Sequence, residues 1–198
     1  MKTSADPALA DYRARLLDGL ALALREKGLQ RVQIADIVAH ARTSRRTFYE
    51  CFADKESAVI ELIRESSIGL HALVESAIDR EEGWETQIDR AIDTYVAALS
   101  GDAKLAASLS RELPALGRRG AELQHEGIER FARLLVSITA GSAMRDAGVR
   151  RVSFDEAVML MGGVAELMAR AMDEDRALAT VGVTAKELIK AAIEPRRS

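Results

Sequence analysis

Only three prolines interrupt the 198 residues, Pro7, Pro114 and Pro195, so 8–113 and 115–194 run free of the strongest helix breaker. Both stretches are rich in Ala, Leu, Arg and Glu, which give up little freedom in a helix. Neither holds an alternating Val/Ile/Thr run of the kind a strand requires. The expected fold class is all-α, with about nine helices. Leu9, Leu16, Leu17, Leu20 and Leu24 recur at helical spacing over 8–27, and Gly28 is placed to end that helix. Short helices are expected at 34–40 and 45–51, the second with Ser44 as N-cap. Asp54 caps another, with Val59, Leu62, Ile63, Leu70, Leu73 and Ala77 on one face. Later helices are expected near 85–100, 103–112, 120–140, 154–174 and 184–194. Breaks fall at 80–83, at Pro114 with Gly117 and Gly120, at 148–153 and at 180–184.

Charge narrows the function classes. The longest runs without Asp, Glu, Lys or Arg are about a dozen residues, as from Leu134 to Met144, whereas a membrane helix needs about 20 apolar residues. The opening residues have no apolar stretch of a secretory signal, and a single cysteine forms no intrachain disulfide. A cytoplasmic protein is expected. The net charge of −3 hides an asymmetry. Residues 1–55 hold ten basic against seven acidic residues, and the remainder eighteen against twenty-four, so +3 faces −6. A basic N-terminal quarter on an acidic body points to an anionic partner at one end.

Residues 31–55 give that partner a form. Two short helices are joined by a tight turn with Ala41 at the closest approach. Ile34, Ile37 and Val38 supply the inner face of the first, and Phe48 and Phe52, four apart, anchor the second. This is a helix-turn-helix, whose second helix enters the major groove with its N-terminal residues at the base edges. Arg45, Arg46 and Thr47 occupy that first turn, where side chains and helix dipole both favour phosphate. Tyr49 lies on the same surface and can donate its hydroxyl to a phosphate. Lys55 starts the next helix, where its charge opposes the dipole, and a partner anion would explain it.

The run from Ile34 to Glu56 resembles the DNA-binding signature of the TetR (tetracycline-repressor-like) family, most specifically in Thr47-Phe48-Tyr49, Phe52 and Asp54-Lys55-Glu56. The resemblance spans about 50 residues, from the first helix to Leu62. It implies a three-helix DNA-binding domain over 1–55 and a helical ligand-binding and dimerisation domain over 56–198. It further implies a homodimer on a palindromic operator in double-stranded DNA, usually a repressor released by a small-molecule effector. Carried over residue by residue, Gln33 contacts phosphate, Ser44, Arg45, Arg46 and Thr47 face the groove, and Tyr49 and Lys55 grip the backbone. Arg42 and Thr43 stand where the family usually has Gly and Val, and Cys51 where it often has His. A left-handed Arg42 would carry strain of roughly 1 kcal/mol, for which an added phosphate contact is the expected return.

In the body, 154–174 is apolar around too wide an arc for a helix with one buried side. Met161, Gly162, Val164, Ala165 and Met168, with Leu188, Ile189 and Ala192 of the last helix, are the expected dimer interface; a central core helix in a monomer is the alternative. Trp84, Tyr95, Leu113, His125, Ile128, Phe131 and Met159 are the candidate ligand-pocket residues, each also readable as core. No enzyme, cofactor or metal site is expected. His125-Glu126-Gly127-Ile128-Glu129 falls one His short of the helical zinc motif, and no nucleophile, acid and base converge. A regulator governed by concentration or a protein partner, and a helical small-molecule enzyme, are the rival functions. Cys51, beside basic residues that could lower its pKa, is either a packing cysteine or a redox sensor.

Overall fold

The computed structural model describes residues 7–195, and helix is the regular structure found among them. Ten α-helices follow in order: α1 Pro7–Lys27, α2 Ile34–His40, α3 Arg45–Cys51, α4 Lys55–Ser76, α5 Trp84–Gly101, α6 Ala103–Ala115, α7 Gly117–Thr139, α8 Ser142–Asp146, α9 Phe154–Asp173 and α10 Leu178–Ile193. A single 3-10 turn, Leu29–Arg31, lies between α1 and α2. Among the described residues no helix is long and apolar enough to cross a membrane.

Four boundaries differ from the sequence expectation, the first being that of α7, which begins at Gly117, so Gly120 of the expected break is helical. The five-residue α8 lies between the helices expected near 120–140 and 154–174, ahead of the loop expected at 148–153, where no helix is expected; it is held because Met144 is wholly buried. Helix α6 runs one residue past Pro114, so the proline stands in its last turn and the helix ends directly after it, as a residue that interrupts the i→i−4 ladder requires. Helix α10 begins at Leu178, so the expected break at 180–184 is helical. Thr, Val and Gly are weak helix formers, yet Val181 and Gly182 are buried, Gly182 directly against Val96 of α5. Tertiary burial there outweighs local propensity.

The chain forms two compact units, Met1–Ser66 with Lys104–Leu123, and Ser67–Ala103 with Gln124–Ser198. The core of the first contains Leu16, Leu20, Ile37, Phe48, Phe52, Val59 and Leu62. That of the second is built around Val74, Ile88, Leu135, Ile138, Met144, Ile189 and Ile193. Lys190 of α10 closes on Asp89 of α5 at 2.6 Å, tying these two helices by charge as well as by packing.

Within the first unit the seating of α2 against α1 depends on Gly19. A Cβ at this position would lie 2.6 Å from the Ile37 carbonyl oxygen and 3.2 Å from the Ala41 Cβ. Both neighbours belong to the end of α2, so the two helices meet backbone to backbone. Gly19→Ala is expected to destabilise the chain by about 1–3 kcal/mol, because backbone must shift to admit the methyl group; urea unfolding measures it.

Candidate DNA-reading surface

The helix-turn-helix is made by two capped helices and the turn between them. Asp36, in the first turn of α2, accepts the Gln33 backbone N–H at 2.9 Å and the Lys27 ammonium at 2.6 Å. The hydrogen bond from Lys27, then that from the Gln33 amide, holds the Asp36 carboxyl below the usual aspartate value of 3.8. At the other end of α2 the chain turns through Ala41 and Arg42. Arg42 has φ +49°, the left-handed conformation that favours Gly. Arg15 of α1 caps this turn, its guanidinium donating to the Ala41 carbonyl at 2.6 Å and the Arg42 carbonyl at 3.0 Å.

Helix α3 then starts with a side-chain cap, since Ser44 Oγ accepts the Thr47 backbone N–H at 3.1 Å. Phe48 is wholly buried and Phe52, just past the helix, nearly so, with their rings 5.7 Å apart. Burying Phe48 turns Arg45, Arg46 and Tyr49 outward, and all three are exposed. Arg13 of α1 secures the far end of α3. Its guanidinium lies 4.7 Å over the Phe52 ring, donates to the Cys51 carbonyl at 3.3 Å and pairs with Glu61 at 2.8 Å. A cation at a helix C-terminus is favoured by the dipole.

The expected contact residues now have distinct situations. Arg45 and Tyr49 make no polar contact with other described residues; Tyr49 rests only edge-on against Phe48. Arg46 is tethered to Glu50 at 3.0 Å while remaining 89% exposed. Ser44 and Thr47 bond to each other at 2.9 Å as part of the cap, so their hydroxyls already have partners. Gln33 is exposed as N-cap of α2, and Thr43 is half-buried in the turn, its N–H bonded to the Val38 carbonyl. Lys55 has an internal explanation for its position against the dipole. Its ammonium donates to the Leu29 and Val32 carbonyls at 3.0 and 2.9 Å, fastening the start of α4 to the 3-10 turn.

Arg13 and Arg15 are the functional residues that sequence reading counts only as charges. Their partners lie 38 and 26 residues away and are in part backbone carbonyls, which no sequence pattern marks. Cys51 is half-buried, and burial pushes its thiol up despite the lowering influence of Arg13, opposite to the shift expected from neighbouring arginines. Less thiolate means a less reactive group.

The residues expected in the body divide. Tyr95 and Phe131 meet edge to face at 5.3 Å, and Trp84 packs against the same apolar cluster. Ile128 is half-buried and His125 exposed. Leu113 belongs to the other unit and packs on its core. Met159 is 78% exposed, so it does not line the interior. Of the expected interface, Met168 and Ile189 are buried within their own chain, because α9 and α10 turn these side chains inward. Met161, Gly162, Val164, Ala165 and Ala192 are half-buried and Leu188 is 57% exposed. Among the described residues no group of three or more His, Cys, Asp or Glu is placed to hold a metal ion.

A capped second helix presenting cations and a tyrosine from a rigid three-helix base defines a DNA-binding module. Residues 16–62 match the family of bacterial regulatory proteins described as the tetR family. Residues 16–62 thus carry the DNA-binding region of a tetR-family transcriptional regulator. No curated protein sequence matches it. Among solved structures the fold is similar to the fatty acid degradation regulator FadR from Bacillus halodurans, at TM-score 0.75 and 18% identity over 98% of this chain and 100% of that one. FadR from Bacillus subtilis in complex with stearoyl-CoA gives TM-score 0.73 and 18% identity over 91% and 99%. Reduced NemR from E. coli gives 0.69 and 15% over 94% and 100%.

Two outcomes are expected. Arg42→Gly should stabilise the chain by up to about 1 kcal/mol through relief of the left-handed backbone, read by urea unfolding. Asp36→Asn should lower Tm at neutral pH. The Asp36 carboxyl is held below its ordinary value, so its contribution is complete above about pH 4 and is lost as pH falls further. The Tm difference between wild type and variant should therefore shrink as the pH drops below 4.

Proposed function

We propose that this regulator is a homodimeric repressor that reads a palindromic operator with α3 and is released by a small-molecule effector. In this reading residues 1–55 read the DNA, while 56–198 bind effector and partner, and the protein acts in the cytoplasm. The observation that carries the DNA part is the outward face of α3, where Arg45 and Tyr49 are exposed with no internal polar partner. Arg45, Arg46 and Tyr49 contact the operator, with Arg42 adding a phosphate contact from the turn. Gln33, Thr43, Ser44 and Thr47 supply shorter-range contacts at the same rim.

Dimerisation is supported by α9 and α10. Gly162 and Gly163 stand in mid-helix, where glycine costs about 1 kcal/mol relative to Ala. A Cβ at either position would meet nothing within 4 Å, so intrachain packing gives no reason for them. A second subunit approaching closely across Gly162, Ala165 and Leu188 gives one. The effector part is supported by the FadR from Bacillus subtilis solved with stearoyl-CoA. Filling the body shifts α4, which is continuous from Lys55 to Ser76, and changes the spacing of the two recognition helices from the about 34–36 Å that suits successive major grooves.

Selection of bound duplexes from a random library is expected to return a palindrome. Arg45→Ala should relax preference at one base position if Arg45 reads a base, whereas loss of a phosphate contact weakens all sequences alike. Arg42, Arg45 and Arg46 from two subunits give about 6 phosphate contacts and a log–log salt slope near −5, against about −7 if the Lys55 pair also reached phosphate. A slope near zero removes the DNA reading. Gly162→Leu should convert a dimer to a monomer in sedimentation at micromolar concentration; unchanged sedimentation with raised stability would place that face in solvent.

A further inference from the structure

In the second unit a small group of polar side chains sits on core-facing rows of two helices. Ser67 and His71 share their row on α4 with buried Val74. Gly127, Arg130 and buried Leu134 form a row on α7. The two rows meet, because a Cβ on Gly127 would lie 3.4 Å from Ser67 Oγ. Arg130 Nη1 donates to Ser67 Oγ at 3.0 Å, and among the described residues no carboxylate lies within ion-pair distance of this half-buried guanidinium. A half-buried charge without a counter-ion is costly unless something supplies one. Beside it the His71 ring packs on Phe131 at 5.5 Å, and Phe131 packs on Tyr95 at 5.3 Å. Polar groups thus stand at one end of an aromatic row.

Two further features suit a bound molecule. Tyr95 lies deep enough among the helices for burial to push its hydroxyl up to about 12, yet the residue is only half-buried and the hydroxyl has no partner among the described residues. Burial also draws His71 below its ordinary value against the opposing pull of Glu75, 3.9 Å away, with Arg130 adding to the lowering. A neutral imidazole keeps one N–H donor, and Arg130 is then the fixed positive charge of the group.

We propose that Arg130, Ser67 and His71 bind the anionic head, carboxylate or phosphate, of a molecule whose apolar part lies along Phe131 and Tyr95. This rests on the effector reading and names the chemical class. Arg130 is the charged anchor, since guanidinium forms short, paired hydrogen bonds to either oxyanion. Ser67, already oriented by Arg130, turns its hydroxyl hydrogen to the same oxygen.

The test uses the full chain without DNA. Binding of the fluorescent apolar sulfonate 1-anilinonaphthalene-8-sulfonate is measured, then its displacement by octanoate, octyl phosphate and octanol. Displacement by at least one octyl anion about tenfold more effective than octanol is expected, and which anion acts separates a carboxylate from a phosphate source. Arg130→Gln should remove that preference and leave octanol unchanged, and Arg118→Gln on the exposed start of α7 should leave both unchanged. General damage to the body would weaken all competitors together, so the ratio of anion to alcohol isolates the charge. Equal displacement by octanol in the wild-type chain, no saturable binding of any of the anions, or an undiminished preference in Arg130→Gln overturns the proposal. Each of these outcomes leaves duplex binding untouched, and loss of duplex binding leaves this result untouched.

Discussion

The burial of Phe48 and Phe52 is the constraint on which the DNA-reading surface depends. A seven-residue helix has two turns and cannot hold itself in water, so its orientation comes from what it buries. With Phe48 in the core, only one face of α3 is left for solvent, and Arg45, Arg46 and Tyr49 are on it. The surrounding contacts serve this seating. Gly19 lets α2 approach α1, Arg15 holds the turn, Arg13 holds the end of α3, and Lys55 fastens the next helix to the turn before α2. Cations near the expected DNA surface thus divide into those bound to the protein's own carbonyls and those facing outward.

That division changes how the charge asymmetry is read. Ten basic residues in 1–55 suggest a broad phosphate-binding field. Arg13, Arg15 and Lys55 are engaged in holding the three-helix base together, and Lys27 pairs with Asp36. The outward-facing charge is concentrated in the turn and the first turn of α3. A few well-placed cations on a rigid helix give register and orientation, which a diffuse positive field does not.

The second unit follows a different economy. Its ion pairs, such as Lys190 with Asp89 and Arg150 with Glu156, match charges in sequence-distant or neighbouring turns and lock helices together. Ser67, His71 and Arg130 stand apart from that pattern, with polarity placed on inward rows and, among the described residues, no carboxylate within ion-pair distance of Arg130. Exposed Met159 and Leu188 lie on α9 and α10, so this unit carries both inward polarity and outward apolar surface. Both are inversions of what packing alone requires, and inversions of this kind mark surfaces and sites that meet another molecule.

The sequence by itself determined the all-helical class, the two short helices, the Phe48 and Phe52 anchors and the family, because each of these is written in local spacing and in a contiguous motif. It also marked Arg42 as the strained position of the turn, since a side chain there must adopt a conformation that suits Gly. It did not determine where α10 begins, because burial of Val181 and Gly182 overrides weak propensity. Nor did it settle which side of α9 and α10 is inward. On a helix apolar over a wide arc the inward face is not unique, so Met159 and Met168 of α9 read alike in sequence and are opposite in burial, as are the adjacent Leu188 and Ile189 of α10. Only the tertiary structure decided that, as it decided that Arg13, Arg15 and Lys55 bind carbonyls: such partners are backbone atoms brought close by folding, and their amino-acid identity carries no trace of it.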